Sequence, residues 1–183
     1  GIVASGTRMS LIAALLGLCV YALTRRGNFK WLGAVAIAGV AVFTVPVIRS
    51  RFMSGFSDRL TLWSQAVEVI QTSPWLGVGD GRYVEVLASL EHLSSPILHT
   101  PHHSILFAAA SYGIVTGIGL LILYVVLAHH GWQCRHRQPL LLAMVIAFVC
   151  HDMTNNLFFV PEVALSFWIA WALLDPDRNT NSD

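Results

Sequence analysis

The sequence predicts an all-α, polytopic membrane helix bundle with about five spans and an outer amphipathic-helix segment. Three observations predict it. Hydrophobic residues fill 55% of the 183 positions and charged residues only 11%, against about 25% charged residues in a soluble domain. The mean hydropathy is +0.64. Apolar runs of roughly membrane length recur, a span needing about 20 such residues.

The first expected span runs from Ile2 to Leu23 and is interrupted only by Arg8. The basic link RRGNFK follows at 25–30. The second span covers Trp31 to Ile48, with Pro46 as a kink or terminator. An outer segment then extends over about 49–102. Within it, Ser57 or Asp58 suits a helix cap, and Leu60, Trp63, Val67 and Ile70 recur at helical spacing until Pro74. This stretch reads as an amphipathic helix lying on the membrane, with Trp63 and Trp75 at headgroup depth; the plainer reading is a linker helix packed on the bundle. The glycines of PWLGVGDGRY at 74–83 follow no strand and precede no GK[ST], which excludes a nucleotide loop. The third span is expected over Ser104–Leu127, the fourth over Pro139–Cys150 and the fifth over Val160–Leu174, with the polar link HHGWQCRHRQ at 129–138. The chain starts with Gly inside an apolar stretch, so it reads as a single membrane domain, 1–183, forming the C-terminal part of a longer protein.

Basic residues in short links orient such an array. Arg25, Arg26 and Lys30 share one side with Arg135, Arg137 and Arg178. That side is expected to be cytoplasmic. Arg8, Arg59 and the string HTPHHS at 99–104 then converge on the opposite, outer face.

Those residues carry the chemistry. Desolvating titratable rings at the mouth of a span is expensive unless they have work to do. His102 and His103 suit a general base or a substrate contact, because a neutral imidazole accepts a proton near neutral pH. A structural hydrogen-bonding role remains open. So does a metal site, since His99 and His103 are four apart, although Pro101 between them opposes a regular helix. Arg8 and Arg59 suit a diphosphate headgroup, because a guanidinium forks onto phosphate oxygens; the plainer readings are a snorkelling or interfacial Arg8 and an exposed surface charge at Arg59, and Arg49, Arg51 and Arg82 read first as interfacial residues that could help. Asp80, Glu85, Glu91, Asp152 and Glu162 read as solvated or structural, and the neighbours His151 and Asp152 point apart on a helix. Cys19, Cys134 and Cys150 lack metal or redox spacing and read as small hydrophobic residues. A net charge of +1 without a basic stripe excludes nucleic acid as a partner. A transporter or channel component with a His/Arg-lined path is the alternative; clustering of the titratable groups at one face favours an enzyme.

Three segments resemble one family in order and spacing. SGTRMSLIAALLG at 5–17 resembles the "SR, then small and apolar" motif of the O-antigen ligase and O-antigen polymerase family. SDRLTLWSQAVEVIQTSPWLGVGDGRY at 57–83 resembles its Arg, Trp, helix and P-x-x-G-x-G stretch. PHHSILFAAASYGIVTGIGLLIL at 101–123 resembles its "HN, apolar, G-x-x-G" segment. The resemblance covers about 1–130. It implies a membrane bundle of the glycosyltransferase C type at the outer, periplasmic face of the bacterial inner membrane. It implies transfer of a glycan from a polyprenyl diphosphate carrier to a hydroxyl of lipid A-core, a growing glycan or a protein, within lipopolysaccharide biosynthesis. The family's diphosphate-binding arginines fall on Arg8 and Arg59 and its essential His on His102, while its following Asn is His103 here. His99, His103 and Arg82 are expected to flank the substrate. No cofactor and no metal are expected, the guanidinium groups taking the place of a divalent ion.

Overall fold

The computed structural model describes residues 8–25, 33, 46–90 and 99–175, with side-chain positions for all of these except 8 and 46–58. Every regular element among them is helical. They are α1 (Arg8–Thr24), α2 (Pro46–Thr72), α3 (Tyr83–Ala88), α4 (Ser104–Tyr112), α5 (Ile114–Gln133), α6 (Pro139–Asp152) and α7 (Pro161–Leu174), with one 3-10 turn at Leu157–Phe159. The chain divides into two compact units.

The first unit contains α1, α6 as far as His151, α7 and α5 from Val125 onward. Small residues let its helices approach closely. A Cβ on Gly17 of α1 would lie 3.0 Å from the Ala147 Cβ and 3.1 Å from the Ala143 carbonyl of α6. Ser10 meets His151 at 2.9 Å, so α1 and α6 run antiparallel. Phe148 of α6 stacks on Phe167 of α7 at 4.1 Å. The C-terminal ends of α5 and α7 are tied by His130 and Asp175 at 3.2 Å.

The second unit contains α2 from Met53, α3, α4, α5 as far as Tyr124, and the link Asp152–Phe159. Its core joins Ala66 and Val69 of α2, Tyr83 and Leu87 of α3, and Ala110 of α4. The chain reverses at Gly113, whose φ of 93° and ψ of 161° suit only glycine. The freed carbonyls of Ala110 and Ser111 accept from the amides of Val78 (2.8 Å) and Gly79 (2.9 Å), and the Ile114 amide donates to the Pro74 carbonyl (2.8 Å). The glycine-rich loop therefore supplies the backbone partners that a helix break leaves wanting. Past the break, α4 folds back along α5. Gly117 makes this possible: a Cβ there would sit 2.8 Å from the Ala109 Cβ.

By length and composition, α5 is the one described helix able to cross a membrane. Its 20 residues rise about 30 Å, the thickness of a hydrocarbon core. Val115, Ile118, Ile122, Val125 and Val126 leave an apolar face bare along it, as hydrocarbon surroundings favour and water does not. The shorter helices α1, α6 and α7 are also apolar.

Several expectations are corrected. The single span over Ser104–Leu127 is two helices meeting at Gly113, because two chain-distant loop amides and a loop carbonyl satisfy the break. Ser57 and Asp58 do not cap a helix; they lie inside the continuous α2, which is helical from Pro46 through Ile48 and onward. The buried stripe of α2 is Leu62, Ala66 and Val69, whereas Leu60 and Val67, on the face expected to lie on the membrane, are exposed. Helices α6 and α7 match the fourth and fifth expected segments closely. Most of the second, Trp31–Ile48, lies outside the described residues.

Candidate functional site

The second unit gathers polar groups around the start of α4. Arg59 and Trp63 sit one turn apart on α2 and share a face. The Nη1 of Arg59 donates to the carbonyl of Thr154, in the link after α6. The ring of Trp63 meets that of His103 edge-on at 5.4 Å.

His103 is the N-cap of α4. With extended backbone (φ −154°, ψ 105°), its Nδ1 accepts from the Leu106 amide at 3.5 Å. His103 stands where the resembling family segment has Asn. Asn is a favoured N-cap because its side-chain oxygen accepts such an amide, and an imidazole Nδ1 offers an acceptor in the same place. Burial pushes the His103 pKa down, while the Asp152 charge partly opposes it.

His102 stands between buried Pro101 and this cap in the left-handed region, at φ 49°. For a residue with a Cβ this costs about 1–2 kcal/mol. The fixed φ of Pro101 and the capped start of α4 hold it there. His102 is half-buried. Its pKa lies below the usual value of 6.5, first through burial, then through the positive charge of Arg59, then through His99. These causes favour the neutral, proton-accepting form of the ring. His99 itself is exposed.

Beside this group lies a buried carboxylate. Asp152 is 0% exposed. It accepts from the Ser104 hydroxyl at 2.7 Å, the Tyr124 hydroxyl at 2.5 Å and the Phe158 amide at 2.7 Å. One side chain thus ties the first residue of α4, the middle of α5 and the link after α6. Phe159 packs on Phe107 at 5.0 Å and on Tyr112 at 6.2 Å, and Phe158 on Tyr124 at 6.2 Å. The link that presents the Thr154 carbonyl to Arg59 is consequently pinned on both sides. Of the two readings the sequence allows for Asp152, solvated or structural, the structure shows the structural one, while Ser104 and Tyr124 carry no such signal. The available signal was an ionisable residue ending an apolar helix, which demands a partner.

The remaining candidates lie elsewhere. Arg82 is exposed ahead of α3 and pairs with Glu85 at 3.5 Å. Arg8 opens α1 in the other unit, and its side chain lies outside the described residues. Among the described residues, no group of three or more His, Cys, Asp or Glu is arranged to hold a metal ion.

Among the described residues every regular element is a helix, several are apolar and one has membrane length, and polar side chains gather at the capped start of α4. The family profile described as O-antigen ligase matches residues 1–124, and the chain belongs to that family. An O-antigen ligase of Pseudomonas aeruginosa is 27% identical over 184 residues, covering 94% of this chain and 44% of that protein. The chain thus spans less than half the length of this relative. No solved structure matches it.

Proposed function

We propose that this chain forms the C-terminal part of a glycosyltransferase that moves a glycan from a polyprenyl diphosphate carrier to an acceptor hydroxyl at the periplasmic face of the bacterial inner membrane. The fold is a multi-pass bundle of about five spans, of the glycosyltransferase C type. The acceptor hydroxyl belongs to lipid A-core, to a growing glycan or to a protein.

The observation that carries this reading is the gathering of Arg59 and His102 in one unit, where Trp63, one turn on from Arg59, packs against the ring of His103 that follows His102. A polyprenyl diphosphate already carries its leaving group. Transfer needs a proton taken from the attacking hydroxyl and charge stabilised on the departing diphosphate. His102 takes the proton, because burial and Arg59 keep its imidazole neutral. Arg59 holds the diphosphate, and this reading calls for no metal. Asp152, through the link it pins, positions Arg59. His103 holds the backbone that presents His102, and His99 and Arg82 serve as outer substrate contacts.

The test is complementation of a ligase-deficient strain with the full-length protein, read as the glycan ladder. His102→Ala is expected to abolish the ladder while the protein still inserts. A normal ladder from that variant refutes the base assignment.

A further inference from the structure

One end of the first unit collects guanidinium groups and aromatic rings. The antiparallel packing of α1 on α6, with Ser10 at His151 and Gly17 at Ala143, sets the last turn of α1 level with the link between α5 and α6. At that turn, exposed Arg25 lies 5.7 Å over the Tyr21 ring and donates to its hydroxyl at 2.7 Å. In the link, Arg135 lies 4.2 Å over the Trp132 ring and donates to the Trp132 carbonyl at 2.7 Å. Arg137 is exposed two residues further on. Among the described residues no carboxylate pairs with these arginines, and the one carboxylate at this end, Asp175, faces His130.

A guanidinium laid on a ring has already lost much of its freedom. Its remaining N–H groups form a fork that fits phosphate oxygens. Trp132 is 55% exposed and continues the bare apolar face of α5. An occupant of this surface therefore meets hydrocarbon on one side and cations on the other, which matches a lipid and not a free anion. Tryptophan and tyrosine settle at that depth of a bilayer.

We propose that this end of the unit binds the headgroup phosphate of an anionic phospholipid through Arg25, Arg135 and Arg137, with the acyl chains along α5. The three side chains take no part in the proposed transfer, so the surface stands or falls apart from it.

The full-length protein in detergent is exposed to phosphatidylglycerol or phosphatidylcholine, and retained lipid is counted by native mass spectrometry. Phosphatidylglycerol is expected to be retained preferentially. Each guanidinium contributes about fivefold, so the triple variant Arg25→Gln, Arg135→Gln, Arg137→Gln loses about a hundredfold in retention. Arg137→Gln alone, at an exposed position, loses about fivefold and serves if the triple variant does not fold. Equal retention of the two lipids by the unaltered protein, or unchanged retention by Arg137→Gln, overturns the proposal. So does a thermal stabilisation by inorganic phosphate alone that equals that of phosphatidylglycerol.

Discussion

Replacing Asp152 by Ala removes the acceptor for three donors at once. The Phe158 amide is backbone and has nowhere else to turn. The hydroxyls of Ser104 and Tyr124 rotate, but both residues are buried, so new partners are scarce. An orphaned buried donor costs about 1–3 kcal/mol, which puts the variant about 3–6 kcal/mol below the unaltered protein once partial repair by the hydroxyls is allowed for. Tyr124→Phe removes a single bond to a carboxylate and costs about 1.5–3 kcal/mol. The two substitutions share one interaction, so the double variant loses less than the sum. Unfolding of the full-length protein in detergent reads the three energies. Limited proteolysis of the link at 153–156 reads its release, and the KM for the lipid-linked donor rises as Arg59 loses its fixed carbonyl at Thr154. An Asp152→Ala protein with unaltered stability and a protected link refutes the reasoning. Strict additivity in the double variant does the same.

The acid limb of the transfer rate is expected below pH 6.5, because burial, Arg59 and His99 all disfavour the imidazolium of His102; the neutral base persists above its lowered pKa and is lost as pH falls through it. Arg59→Gln removes one of those causes, so the limb moves up in pH on whatever rate survives, as a pH–rate profile measures. His103→Asn keeps a cap acceptor and is expected to change stability by less than about 0.5 kcal/mol, whereas His103→Ala costs about 1 kcal/mol. Thermal unfolding of the pair tells a capping role from a general need for imidazole.

What the sequence displayed was local chemistry. The extents of α6 and α7 follow from apolar runs bounded by proline and polar residues. Arg59 and His102 stood out as ionisable side chains at the edges of such runs. The reversal at Gly113 was hidden because SYGIVTG continues an apolar run without a break in composition. Its partners are the Pro74 carbonyl and the Val78 and Gly79 amides, more than thirty residues away in the chain. The continuity of α2 through Ser57 and Asp58 was hidden for a related reason: cap-forming residues are tolerated inside a helix when the flanking turns hold. The structural role of Asp152 is open to the sequence, but its partners are not: its three donors come from α4, α5 and the link, a convergence no spacing rule detects. His103 had a structural reading open from the start, and the geometry of α4 gives that reading its content.

The fold-back of α4 on α5 fixes the count of residues between Ser104 and Tyr124. Adding or deleting one residue in that interval would rotate one helix by about 100° against the other. Ser104 would then swing away from the carboxylate it shares with Tyr124, and the histidines before it would turn with it. Length variation among related chains should accordingly be excluded from this hairpin and find room where no such phase is kept.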